Sequence, residues 1–169
     1  MDNIYPLKYS KHHPYNRYSD YLKTVFGKPM QKVSVDAGFS CPNIDGTIAK
    51  GGCIYCNNRS FNPNYHFERE NVAAQIDQGI SKFTNRKPGT GFIAYFQSHT
   101  NTHGTADELA GVFQKAIDHP AIEGLMIATR PDCLGDEILD FLCEINRKLF
   151  VGVEIGIEST NNETLDMLN

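Results

Sequence analysis

The chain has 169 residues, a formal net charge of -4 and five cysteines, so it is long enough for one domain with a buried core and is not basic throughout. No run approaches the roughly 20 apolar residues of a membrane-spanning helix, and the first residues lack the charged and apolar regions of a signal peptide. These features predict a globular, cytoplasmic protein with no membrane partner. The odd number of cysteines favours metal chemistry over a disulfide framework.

The chain begins with a basic, aromatic segment, residues 1–31, which we predict to be an arm ahead of the main domain. Residues 1–32 carry a net charge of +4, whereas the remainder carries -8. Basic side chains mixed with tyrosines suit phosphates and stacked bases. The alternative is that these aromatic side chains pack against the main domain. The pattern predicts an irregular stretch over residues 1–16 and a short helix over 18–26 that ends at Gly27.

Residues 32–169 alternate strand and helix patterns, which predicts an α/β fold with a parallel sheet built from right-handed βαβ units. A closed eight-stranded barrel needs about 250 residues, and only four units are recognisable here. We therefore expect a partial (β/α) barrel that is the amino-terminal half of a longer protein. The predicted strands cover residues 32–37, 92–97, 124–129 and 150–157, the predicted helices cover 71–83, 106–118 and 136–149, and a fourth helix begins at 161–165.

Three cysteines, Cys41, Cys53 and Cys56, lie in a glycine-rich loop directly after the first predicted strand, where sites gather in α/β folds. The glycines permit the positive φ angles that wrapping around a metal requires. A 4Fe-4S cluster held by three cysteines keeps one iron open to another ligand, which suggests reactivity. A structural zinc site needs a fourth protein ligand, such as His66, and remains the alternative.

The fourth predicted strand places Glu154 and Glu158 on the same face as Gly152 and Gly156, because side chains alternate along a strand. Its other face is aliphatic and should meet helices. Glycines and carboxylates on the inward face leave space and acceptors for a polar ligand. The alternative is that both carboxylates pair with basic side chains such as Arg130.

Polar residues also follow the second and third predicted strands. Arg130 and Asp132 predict either a two-pronged grip on a carboxylate ligand or a structural ion pair. His99 and His103 are four residues apart, but no helical pattern surrounds them, so we favour surface histidines over a metal-binding pair.

The two remaining cysteines lie outside the glycine-rich loop. Cys133 follows the third strand, and we predict a structural role, with a thiol facing the substrate as the alternative. Cys143 lies four residues after Leu139 on a predicted helix, which predicts a core position.

Several motifs occur in a fixed order along the chain. They are Cys-Pro-Asn-x-Asp-Gly-Thr, Gly-Gly-Cys-x-aromatic-Cys, Tyr95-Phe96-Gln97, Ala128-Thr129-Arg130-Pro131-Asp132-Cys133 and Val153-Glu154-Ile155-Gly156-Ile157-Glu158. This set resembles the radical S-adenosylmethionine (SAM) enzymes, in the YhcC-like family with a lengthened first cysteine spacing. The resemblance covers most of the chain from about Tyr18 onward.

The resemblance implies a radical SAM barrel in which Cys41, Cys53 and Cys56 hold a 4Fe-4S cluster and SAM binds its free iron. It implies an external electron donor of the flavodoxin or ferredoxin type and cleavage of SAM to a 5'-deoxyadenosyl radical. Among nearby families it favours tRNA modification. The alternatives are an iron-sulfur or zinc module without SAM chemistry and an inactive truncated fragment. The candidate SAM-binding residues are Tyr55 against adenine, Glu154 against ribose or methionine, and Gln97, Arg130 and Glu158.

The sequence departs from the wider superfamily in two places. The Gly-Gly-Glu type motif that grips the amino group of methionine is absent, and Gln97, Thr100 and Thr102 match the Phe-Gln-x-x-Thr-x-Thr pattern of the closer family instead. These polar side chains can accept hydrogen bonds from an ammonium group. Many relatives carry Gln at the position of Glu158.

Overall fold

The computed structural model describes residues 14–57, 71–84 and 87–168 of the chain. They form an α/β fold around a four-stranded sheet in the order β1-β2-β3-β4, in which every described pairing is parallel. The prediction of an α/β fold with a parallel sheet is confirmed. The strands are β1 (Met30–Val35), β2 (Gly91–Phe96), β3 (Ile122–Thr129) and β4 (Phe150–Ile155).

The helices lie close to their predicted positions. The described helices are α1 (Tyr18–Phe26), α2 (Pro42–Asp45), α3 (Val72–Ser81), α4 (Ala106–Ile117), α5 (Asp136–Asn146) and α6 (Asn162–Leu168), with a short 3-10 turn over Pro131–Cys133. The end of α1 is confirmed, because Gly27 adopts a φ of 70° and its N–H closes on the carbonyl of Lys23. None of the helices in the described ranges is long and apolar enough to span a membrane.

Strand β1 begins and ends two residues earlier than predicted. Its end is set by Gln75 of α3, whose side chain accepts from the N–H of Asp36 at 2.8 Å and donates to its carbonyl at 2.9 Å. The side chain thus takes the place of a neighbouring strand at Asp36. The chain then leaves the sheet toward the cysteine loop.

The sheet has two differently covered faces. One face packs against α3, α4 and α5, and this core includes Val33, Phe96, Ile76, Phe113 and Leu142. The other face, which we call the inner face, is covered by α1 through a smaller cluster around Leu22, Ile93 and Met126. Side chains from one strand reach both cores because they alternate along it.

Strand β4 differs from expectation on both of its faces. Val151 packs against the helix-side core, but Val153 and Ile155 remain 37% and 47% exposed, so helices cover the aliphatic face only in part. On the inner face, a Cβ at Gly152 would lie 2.6 Å from Cε of Met126. The space that this glycine was expected to leave for a ligand is therefore filled by a methionine.

Candidate metal centre at the carboxyl edge of the sheet

The carboxyl ends of the four strands meet at one edge of the sheet. Val35 pairs with Phe96, Phe96 pairs with Ile127, and Thr129 pairs with Ile155. The loops that follow the strands therefore gather at this edge, where α/β folds place their sites. These loops carry the predicted cysteines, the Gln97 segment, Arg130 and Glu158.

The cysteine loop folds back on itself after the short helix α2. Cys41 is the residue ahead of α2, and Pro42 starts the helix. Gly51 and Gly52 have φ angles of 91° and 84°, which a residue with a side chain rarely adopts. The N–H of Gly52 then bonds to the carbonyl of Asn43 at 2.8 Å. This return brings Cys53 beside α2.

Asn43 contacts the sulfur of Cys53. Its Nδ2 atom lies 3.2 Å from Cys53 Sγ, and the Asn43 side chain is largely buried. Hydrogen bonds of this kind are common on the sulfurs of cysteines that hold metal centres. Sequence reasoning missed this residue, although Asn43 stands within the Cys-Pro-Asn motif.

Arg130 contacts the sulfur of Cys41 from the end of β3. Its Nη1 atom lies 3.8 Å from Cys41 Sγ. Its Nε and Nη2 atoms donate to the two carboxylate oxygens of Asp132 at 2.9 and 2.8 Å. These bonds from Arg130 hold the pKa of Asp132 below its usual range. The predicted ion pair of Arg130 therefore forms with Asp132.

Cys56 follows Cys53 through a tight turn, in which the Cys56 N–H donates to the Cys53 carbonyl at 2.9 Å. All five cysteines lie in the described part of the chain, and each is a thiol rather than half of a disulfide. Within the described residues, no three His, Cys, Asp or Glu side chains stand close enough together to hold a metal ion. The gathering of Cys41, Cys53 and Cys56 around one centre stays a prediction, and His66 lies outside the described residues.

Tyr55 links the cysteine loop to the loop after β4. Partial burial raises the pKa of Tyr55 above its ordinary value, and a hydrogen bond to Glu158 and the nearby Cys53 add to the increase. Glu158 has a φ of 59°, which is uncommon outside glycine. The last described helix also reaches this loop, because the N–H of Ile54 bonds to the carbonyl of Leu168 at 2.8 Å.

Glu154 lies on the inner face, as strand alternation predicted, but its partner is Lys32 rather than Arg130. Glu154 forms an ion pair with Lys32 of β1 and accepts from the Tyr95 hydroxyl at 2.5 Å. Lys32 Nζ also lies 4.2 Å from the ring centre of Tyr95 and 5.0 Å from that of Tyr18. Burial alone would raise the pKa of Glu154, but the bonds from Lys32 and Tyr95 lower it below its usual value.

The loop after β2 is held by its own polar side chains. Asn101 Nδ2 donates to the carbonyls of Phe96, Ser98 and Ala128 at 3.0 to 3.1 Å. The Thr102 hydroxyl lies 2.5 Å from the Thr129 hydroxyl, and it donates to the backbone carbonyl of Cys133 at 2.6 Å. The hydroxyl of Thr102 is thus committed to bracing β3.

The other members of the predicted ammonium-binding pattern differ in their exposure. The Thr100 side chain is buried, and its N–H bonds to the carbonyl of Ser40 at 3.1 Å. Gln97 is half-buried at the end of β2. Of the three, Gln97 offers the most accessible side chain at this edge.

Three buried polar atoms at this edge have no hydrogen-bond partner among the described residues: Asn43 Oδ1, Ser98 Oγ and Asn101 Oδ1. Asn43 lies in the cysteine loop, and the other two lie in the loop after β2. Buried polar atoms in folded proteins are normally satisfied by protein, water or ligand. The edge therefore retains acceptors that a bound polar group or ordered water can use.

His103 is paired with Asp45 rather than with His99. Its Nε2 atom lies 2.8 Å from a carboxylate oxygen of Asp45. The pKa of Asp45 lies well below its usual range, chiefly because the hydroxyl and N–H of Thr47 both donate to it. This contact favours the interpretation of His103 as a polar histidine outside a metal pair.

The two remaining cysteines differ in environment. Cys133 is half-buried, and burial, followed by the charge of Asp132, raises its pKa to about 11. Cys143 is exposed, so the prediction of a core position is wrong. Helix α5 buries Ile138 and Leu142 instead, which turns Cys143 toward solvent.

Comparison with known proteins shows extended similarity to three curated relatives. The chain is 33% identical to the uncharacterized protein YtqA of Bacillus subtilis over 155 residues, covering 92% of this chain and 48% of YtqA. It is 35% identical to protein YhcC of Escherichia coli, and the match covers 91% of this chain and 49% of YhcC. It is 30% identical to the uncharacterized protein MJ0486 of Methanocaldococcus jannaschii, and that match covers 95% of this chain and 49% of MJ0486. No protein-family model and no solved structure matches. The chain is thus similar to YtqA, YhcC and MJ0486 and spans about half the length of each.

Proposed function

We propose that the chain is part of a radical SAM enzyme in which Cys41, Cys53 and Cys56 hold a 4Fe-4S cluster. The observation that supports this proposal most directly is a pair of hydrogen-bond donors on two of the three sulfurs. Asn43 Nδ2 lies 3.2 Å from Cys53 Sγ, and Arg130 Nη1 lies 3.8 Å from Cys41 Sγ. Hydrogen bonds to cysteine sulfurs are one of the means by which proteins tune iron-sulfur clusters.

The residues at this edge fit such a group by their chemistry. Thiolates are the ligands that iron-sulfur clusters prefer, and three of them leave one iron for a further ligand. Cys56 is exposed, so its sulfur is accessible to an incoming cluster. Gln97, which follows β2 in the adjoining loop, is half-buried, so its side chain is accessible to a polar ligand such as SAM.

When bound, the cluster would supply the electron that cleaves a carbon–sulfur bond of SAM to give methionine and a 5'-deoxyadenosyl radical. The chain's own residues have supporting roles. Arg130 and Asn43 orient two of the sulfurs, and Tyr55 connects the cysteine loop to Glu158 through a hydrogen bond. The electron comes from an external donor of the flavodoxin or ferredoxin type.

The substrate part of the proposal is tRNA, and its support is the basic, tyrosine-bearing start of the chain. Residues 1–13 lie outside the described residues. Within α1, Tyr18 has a second role, because its ring lies above Lys32 and its hydroxyl is 3.9 Å from Met126 Sδ. This contact supports packing on the main domain for Tyr18, so the support for tRNA is the charge and composition of the segment as a whole rather than this tyrosine.

Anaerobic reconstitution tests the proposed cluster. We expect about four irons per chain and a brown protein, and we expect reductive cleavage of SAM by a strong reductant in a longer protein that includes this chain. Cys41→Ala, Cys53→Ala and Cys56→Ala should each lose the iron, whereas Cys143→Ala, on the exposed side of α5, is the matched control and should retain it. A colourless protein that binds only zinc, or iron that persists in the Cys41→Ala variant, would contradict the proposal. Iron binding without SAM cleavage in the longer protein would favour an iron-sulfur module.

A further inference from the structure

Arg130 has a geometry that a simple surface ion pair does not have. Two of its nitrogens, Nε and Nη2, are occupied by the two oxygens of Asp132 at 2.9 and 2.8 Å. This bidentate contact fixes the plane of the guanidinium group. The remaining nitrogen, Nη1, then points to Cys41 Sγ at 3.8 Å.

The ion pair of Arg130 with Asp132 is also less exposed than the ion pair of Arg147 with Glu144 at the end of α5. The Arg130 side chain is 26% exposed, whereas Arg147 and Glu144 are 72% and 62% exposed. Charges that are partly removed from water interact more strongly with their neighbours. Arg130 also follows β3 directly and accepts a backbone hydrogen bond from Cys133 at 3.2 Å, which anchors its main chain.

We propose that Arg130, held in orientation by Asp132, is a positioning residue that donates to Cys41 Sγ and raises the reduction potential of the bound cluster. This inference rests on the proposed function. Reduction adds negative charge that is shared with the cysteine sulfurs, so a hydrogen-bond donor on sulfur stabilises the reduced form more than the oxidised form. Asp132 balances much of the long-range charge of Arg130, which makes the local N–H···S contact the main effect.

The test is a redox titration of the reconstituted full chain, followed by electron paramagnetic resonance. Arg130→Ala should keep its iron and lower the equilibrium constant for one-electron reduction about tenfold, which corresponds to about 59 mV. Arg147→Ala is the matched control, because it removes an arginine from an exposed ion pair, and it should leave the potential unchanged. Arg130→Lys retains the charge but loses the planar fork, so it should also lower the potential.

The outcomes separate this inference from the proposed function. If the wild-type chain takes up no iron, the proposed function fails and the inference fails with it. If the wild-type chain takes up iron and Arg130→Ala has the wild-type potential, only the inference is overturned. If Arg130→Ala does not retain the cluster, Arg130→Lys decides: a lowered potential supports the inference, and a wild-type potential overturns it.

Discussion

Replacing Glu154 with Gln tests the inner-face contact between β1, β2 and β4. The substitution keeps the size of the side chain but removes the charge that pairs with Lys32 and accepts from Tyr95. A hydrogen bond to a charged group contributes about 1.5–3 kcal/mol, and partial exposure of both side chains reduces the value. We expect Glu154→Gln to lower the free energy of unfolding by about 1–2 kcal/mol.

Urea denaturation of the full chain measures this loss, and Glu144→Gln is the matched control. Glu144 pairs with Arg147 on the exposed surface of α5, where a pair contributes about 0.2–0.5 kcal/mol. Adding Lys32→Met to both wild type and Glu154→Gln completes a double-mutant cycle, which should give a favourable coupling energy. If Glu154→Gln costs no more than Glu144→Gln, the inner-face ion pair does not stabilise the fold.

The same contact has a predictable pH dependence. The pKa of Glu154 is lowered in the folded chain, so its contribution is fully present above the unfolded value of about 4.3. It is lost as the pH falls through the lowered folded value. The stability difference between wild type and Glu154→Gln should therefore shrink below about pH 4, and a difference that grows on acidification would show that the sign is wrong.

Three further predictions concern ligand binding, thiol reactivity and association. Glu154→Ala should weaken SAM binding by about 1.5–3 kcal/mol in calorimetry on a longer protein, because the Glu154 carboxylate on the inner face is the proposed contact for SAM; unchanged affinity would remove Glu154 from the site. Iodoacetamide at pH 8 should modify the exposed Cys143 faster than Cys133, whose pKa is about 11; mass spectrometry giving the reverse order would contradict the burial of Cys133. The chain should self-associate through the exposed side of β4, so Ile155→Lys should shift it toward monomer in size-exclusion chromatography. Leu139 of α5 is similarly exposed, and Leu139→Lys should leave the association unchanged. If the two substitutions shift the chain toward monomer equally, β4 is not the contact surface.

Local patterns in the sequence determined the order and nature of the main elements. The helix that ends at Gly27 was predicted at its observed bounds, because glycine readily takes the left-handed conformation that closes a helix. The strands were found within two residues, since β-branched and aromatic runs separated by amphipathic helices specify βαβ units. The period of two along β4 correctly placed Glu154 on the inner face.

The error at Cys143 shows how small shifts of helical phase matter. Spacing from Leu139 suggested a buried position, but Leu139 itself is 43% exposed. The side of α5 that is buried is set by Ile138 and Leu142 against the sheet. One residue of phase corresponds to about 100° of rotation around the helix, enough to move a side chain from core to solvent.

Only the tertiary structure decided which side chains meet across the sheet. Lys32 and Glu154 are 122 residues apart, and their contact depends on the register of three successive parallel pairings. The contacts of Cys41 with Arg130 and of Cys53 with Asn43 depend likewise on where the loops gather after the strands. The sequence alone indicates which residues are candidate metal ligands, because that follows from residue type and spacing. Their partners depend on strand register and loop closure, which are properties of the folded chain.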